Sequence, residues 1–141
     1  MRSTLILLSA AALWSSLEPG AWAAEVKVIA NWSVTASAVS ADELKSVFLV
    51  TRTELADGSR VEPVLLKSGP VHDAFVTRYV GKTEATLETY YRSLVFAGKG
   101  LMPKTLASDV EMVNYVARTR GAIGYVSAGT TVSGVKTLAV K

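Results

Sequence analysis

Apolar and β-branched positions crowd Val26-Lys27-Val28-Ile29-Ala30-Asn31, a pattern that predicts a first strand. A polar link from Ser33 to Val39 leads into Ser40-Ala41-Asp42-Glu43. Ser40 and Glu43 stand at capping-box spacing, each side chain able to satisfy a free amide where a helix begins. Leu44, Val47 and Phe48 supply the apolar face of that short helix, and Asp57-Gly58 marks a turn. Val61-Glu62-Pro63-Val64-Leu65-Leu66 predicts a second strand. Pro63 lacks a ladder donor, so its place is at an edge or near the strand start. Ser68-Gly69-Pro70 reads as a stop followed by a helix start, with proline where its missing N–H matters least. Val71, Ala74, Phe75 and Tyr79 then recur at helical spacing.

Gly81 ends that helix and Thr83 can cap the next, in which Leu87, Tyr90, Tyr91, Leu94 and Val95 give the strongest helical period of the chain. Gly98-Lys99-Gly100 and Pro103 form a loop. Ser108 and Glu111 repeat the capping-box spacing, with Met112, Val113, Val116 and Ala117 expected to face inward. Gly121 is placed to stop this helix. Ala122-Ile123-Gly124-Tyr125-Val126 predicts a third strand and Val135 to Val140 a fourth. The order is β-α-β-α-α-α-β-β. It predicts an α/β layer fold around a small mixed, mostly parallel sheet flanked by helices. Its strand–helix–strand start favours a parallel first pair.

The segment before the first strand has another character. Arg2, the apolar run Leu5 to Trp14 and the small-x-small triplet Ala21-Trp22-Ala23 make residues 1–23 a signal peptide with cleavage after Ala23, which leaves one domain over 24–141. An uncleaved anchor is the alternative. No later stretch is long and apolar enough for a membrane helix, so the expected setting is periplasmic or secreted. Arg2 and Glu18 leave together, so the net charge of +3 is unchanged. That charge, without a Lys/Arg run, does not point to nucleic acid. The chain has no cysteine, which excludes disulfides and thiolate chemistry, and a single histidine, His72, which excludes a two-histidine metal motif. No cofactor or metal is expected. Without a Gly-x-Ser-x-Gly elbow near a histidine there is no sign of a serine hydrolase, and the chain is not expected to be an enzyme.

Three segments carry a resemblance. Ser40 to Leu49 followed by Asp57-Gly58-Ser59-Arg60-Val61-Glu62-Pro63-Val64 resembles the phosphate-binding proteins of ABC importers, which carry a helix ending Ile-Phe-x-Gly, then Trp-x-Asp-Gly, then a Pro-Val strand. Ser68-Gly69 stands where they carry a Ser-Gly-Thr phosphate loop. Arg118 to Val126 is similar to their closing Gly-Ala-Ile-Gly-Tyr-Val strand. The resemblance covers about residues 26–127 and implies one lobe of a two-lobed periplasmic-binding-protein fold. It implies a module related to phosphate uptake that takes a small oxyanion, phosphate or sulfate, with a homodimer or a second protein completing the site.

The site so implied is Lys67, Ser68, Gly69 and His72. A helix start offers free amides and roughly half a positive charge to an anion. Ser68 would add a hydroxyl, Gly69 close backbone approach, Lys67 a charge and His72 a donor. The departures are plain: Pro70 replaces the family threonine, Leu65, Leu66 and Lys67 stand where an Arg and an Asp usually do, and Asp73 would repel an anion. An ordinary helix start explains Ser68-Gly69-Pro70 as well, and a histidine there is commonly solvated or capping. A single lobe also provides one wall, where tight small-ligand sites enclose about 70–90% of the ligand. The rival function is therefore a cell-envelope interaction or scaffold protein that kept the lobe and lost the ligand. Gly98-Lys99-Gly100 reads as a solvated loop rather than an anion nest, and Gly129-Thr130-Thr131 as a turn. Trp32 reads either as partly buried or as facing a crevice at the strand end.

Overall fold

A computed structural model describes residues 25–141; the expected leader and its cleavage site lie outside the described residues. The elements run β1 (Val26–Ala30), β2 (Ala38–Val39), α1 (Ala41–Phe48), β3 (Glu62–Leu66), α2 (Pro70–Phe75), α3 (Glu84–Phe96), β4 (Lys104–Leu106), α4 (Asp109–Arg118), β5 (Ala122–Ser127) and β6 (Lys136–Val140). A π-helical stretch, Val76–Val80, continues α2 and ends at Gly81 in the left-handed region, φ 71°. The predicted order holds, with two additional short strands, β2 and β4.

Helix starts follow the local chemistry. Ser40 Oγ accepts the Glu43 N–H at 3.0 Å and Glu43 Oε1 accepts the Ser40 N–H at 3.4 Å, a complete capping box. Thr83 Oγ1 accepts the Thr86 N–H at 3.2 Å. Ser108 Oγ accepts the Glu111 N–H, but the Glu111 carboxylate reaches one residue further back, to the Ala107 N–H at 2.9 Å.

The six strands lie in the order β2-β6-β1-β5-β3-β4. β5, β3 and β4 are parallel, whereas β1 runs antiparallel to both its neighbours, β5 and β6. The expected parallel pairing of the first two long strands is corrected: β5 lies between β1 and β3. Every residue from Ala122 to Val126 is buried, so β5 needs a neighbour on each side and cover on both faces. Pro63 is the second residue of β3, and the ladder to β4 begins only at Val64, so its missing donor falls where no bond to β4 is made.

The core joins both sheet faces to α1, α2 and α4. Phe75 stacks on Tyr125 with centroids 3.8 Å apart and planes 4° from parallel, and Phe48 meets Phe75 edge-on at 4.7 Å. Two expected core positions, Val95 and Ala117, are exposed at the fringes of their helical stripes; Trp32 is 67% exposed, with the Lys136 ammonium over its ring. Among the described residues no helix is long and apolar enough to cross a membrane.

Candidate functional site

The C-terminal end of β3 is where the chain opens a hollow. Leu65 and Leu66 form part of its floor, the start of α2 one wall and the first turns of α3 another; its volume is about 420 Å³. Parallel strands leave ligand crevices at this end, where the chain turns into a helix. Of the sequence-expected residues, Lys67, Ser68 and His72 line the hollow and Gly69 does not. Gly69 is extended, with φ 161°, and an added Cβ would meet nothing nearer than the Lys67 carbonyl at 4.0 Å, so no close approach demands glycine there.

Ser68 is already engaged, its hydroxyl donating to Glu84 Oε1 at the start of α3. Glu88, one turn on, also faces the hollow and holds Arg92 at 2.5 Å. The lining therefore brings two carboxylates against the single ammonium of Lys67. Sixteen residues separate Ser68 from Glu84, and no local pattern signals their meeting.

His72 is buried, with only 6% of its surface exposed, which corrects the reading of a solvated or capping residue. Its Nδ1 bonds the Tyr125 hydroxyl, and that oxygen accepts the Leu66 N–H at 3.0 Å. Burial pushes the imidazole pKa below its ordinary value, against weaker opposing pulls from Glu84 and Asp73. Burial also raises the Tyr125 phenol, so it stays protonated at any physiological pH. Tyr91, from α3, lines the hollow and donates from its hydroxyl to the Phe48 carbonyl at 2.5 Å, tying α3 to the end of α1. Among the described residues no three His, Asp or Glu side chains are grouped to hold a metal ion.

The apolar part of the rim is uncovered. Met102 lines the hollow, and Val95, Phe96 and Leu101 near it in the chain are exposed, Phe96 almost completely. Gly98 in the intervening loop has a left-handed φ of 68° with open space around it, consistent with the solvated loop expected there.

No protein-family model matches the sequence, and no curated protein matches it. Solved structures match in fold. An ABC-type phosphate transport receptor from Vibrio cholerae gives a TM-score of 0.63 at 13% identity, over 83% of this chain and 46% of that one. PstS from Borrelia burgdorferi gives 0.62 at 11%, over 84% and 47%. A Clostridium perfringens protein assigned as a phosphate ABC transporter substrate-binding protein, solved with phosphate bound, gives 0.60 at 18%, over 83% and 45%. The chain thus spans slightly less than half the length of each of these proteins. With its mixed six-stranded sheet and flanking helices, it has the fold of a single lobe of a phosphate-receptor-like binding protein.

Proposed function

We propose that this protein is an exported, non-catalytic binding module that takes a small oxyanion, phosphate before sulfate, at the hollow beyond β3, and that it serves ABC-type phosphate uptake. The mature domain is 24–141 and its setting periplasmic. The observation that carries the reading is the hollow itself: Lys67, Ser68 and the ring of His72 converge at the open end of a parallel strand, in a fold shared with phosphate receptors. Gly69 leads into the helix start without lining the hollow. Glu84 decides between anions. A carboxylate repels a fully ionised oxyanion but accepts a hydrogen bond from one that carries a proton. At neutral pH phosphate retains a proton and sulfate has none. With one wall the site binds weakly, and a second copy or another protein closes it.

Titration calorimetry and thermal melting with phosphate and with sulfate at pH 7 test this. Saturable heat and a rise in Tm with phosphate, larger than with sulfate, is the expected result, since a ligand that prefers the folded state raises stability with concentration. A Tm unmoved by millimolar amounts of both anions refutes it.

A second reading, an envelope interaction or scaffold protein without a ligand, is favoured by one contact: Glu84 occupies the Ser68 hydroxyl. Under that reading Glu84→Gln leaves anion titrations flat, whereas under the first it raises sulfate affinity by removing the repulsion.

A further inference from the structure

His72 is the only histidine of the chain and is buried against the hollow, with 6% of its surface exposed. The hydrogen-bond chain behind it leaves one consistent assignment of protons. The Leu66 N–H can only donate, so it takes one lone pair of Tyr125 Oη. The phenol hydrogen then needs an acceptor, and His72 Nδ1 is the partner in reach. An Nδ1 that accepts places the imidazole hydrogen on Nε2. Every fully buried side-chain nitrogen and oxygen among the described residues has a partner, and Nε2 has none within the protein. Nε2 is therefore the edge of the ring that meets the hollow.

We propose that Tyr125 is a positioning residue that locks His72 in its neutral Nε2–H form, and that this N–H is the donor the hollow presents to a ligand oxygen. The proposal rests on the oxyanion-binding reading and adds to it the residue that turns a buried histidine into a fixed, uncharged donor. The charged and titratable groups facing His72 are Glu84, Glu88 and Tyr91 of α3, Lys67 at the end of β3, Asp73 of α2 and Tyr125 of β5. Protonating Nδ1 would turn the Tyr125 hydroxyl away from its only acceptor and leave it unpaired in the core, an arrangement that buried polar groups avoid. Burial opposes the imidazolium and Glu84 and Asp73 favour it; the Tyr125 hydroxyl, by needing Nδ1 as its acceptor, adds to the opposition. The balance favours the neutral form, so the donor stays in place to lower pH than it would on a solvated histidine.

Because there is a single histidine, selective 15N-histidine labelling reports His72 alone. The expected spectrum at pH 7 is a protonated Nε2 and an unprotonated, hydrogen-bonded Nδ1, with phosphate shifting the Nε2 resonance saturably. Tyr125→Phe keeps the ring that stacks on Phe75 and removes the lock. It should mix the two tautomers, move the titration of His72 toward its ordinary value and weaken phosphate about tenfold. An Nδ1–H tautomer or an imidazolium at pH 7 overturns the proposal, as does a Tyr125→Phe protein whose tautomer is unchanged. Saturable phosphate heat without an Nε2 shift overturns this proposal alone. No heat from either anion overturns the binding reading and this proposal with it.

Discussion

Val50 carries the one positive φ found on a non-glycine residue among those described, 59°, two residues after the end of α1. A β-branched side chain is a poor occupant of the left-handed region, and such strain costs of order 1–3 kcal/mol. The resemblance noted above puts glycine at this place in a helix ending Ile-Phe-x-Gly, where this chain reads Val47-Phe48-Leu49-Val50. Val50 is half-buried, so part of its side chain is useful packing. Asparagine tolerates the conformation without glycine's added chain entropy. Val50→Asn should therefore stabilise the protein by about 1 kcal/mol and raise Tm by roughly 4 °C, measured by calorimetric melting; a lower Tm would mean that packing outweighs strain. The conformation of Val50 has no signature in the sequence, because valine itself argues against it. His72 and Ser68 were equally opaque. What they do is decided by Tyr125 and Glu84, distant in the chain, and a helix-start pattern carries no record of either.

At the scale of elements, local chemistry was informative and long-range pairing was not. Ser40, Thr83 and Ser108 all cap the helices their spacing announces, because a cap involves only the next few residues. The parallel sense expected between the first two long strands failed, because β5, far along the chain and buried over five successive residues, takes the place between them. β2 and β4 were missed because two or three residues hold no periodicity. Gly121 joins α4 to β5 and illustrates how an element junction constrains one residue. Its φ is 74°, and a Cβ there would stand 2.7 Å from the Arg60 carbonyl oxygen. Its own carbonyl accepts the Glu62 N–H at 2.8 Å, which starts the β3 register, so the two strands cannot simply separate. Gly58 has a similar φ, 86°, with open space around it. Gly58→Ala should cost about 1 kcal/mol, the strain of the left-handed conformation alone. Gly121→Ala should cost at least about 2 kcal/mol more, because a backbone clash is added to that strain. Urea unfolding of the two variants compares them directly, and equal losses would show that the junction relaxes freely.

For the whole molecule, the neutral burial of His72 has a consequence for stability that needs no ligand. The folded-state pKa is pushed below that of the unfolded chain, where histidine titrates near 6.5. Below that pH the unfolded chain binds a proton that the folded protein refuses. The stability contributed by His72 is thus full above about pH 6.5 and declines as pH falls toward the folded-state value, with a slope of up to about 1.4 kcal/mol per pH unit. The carboxylates act in a separate window. The Ala56 N–H lowers the Glu43 pKa, and the Thr35 hydroxyl lowers that of Asp57, so both stabilise the fold above their ordinary values of 4.5 and 3.8 and lose that effect only in stronger acid. Both groups are largely solvated, so their share is small. Between about pH 6.5 and 5 the loss of stability therefore belongs chiefly to the lone histidine. His72→Gln has no proton to gain there, and its amide can still meet the Tyr125 hydroxyl. Urea unfolding across that interval should show a falling stability in the natural protein and a nearly level one in the variant. Parallel slopes in the two would place the acid sensitivity elsewhere and remove the buried, neutral imidazole from the account of this lobe.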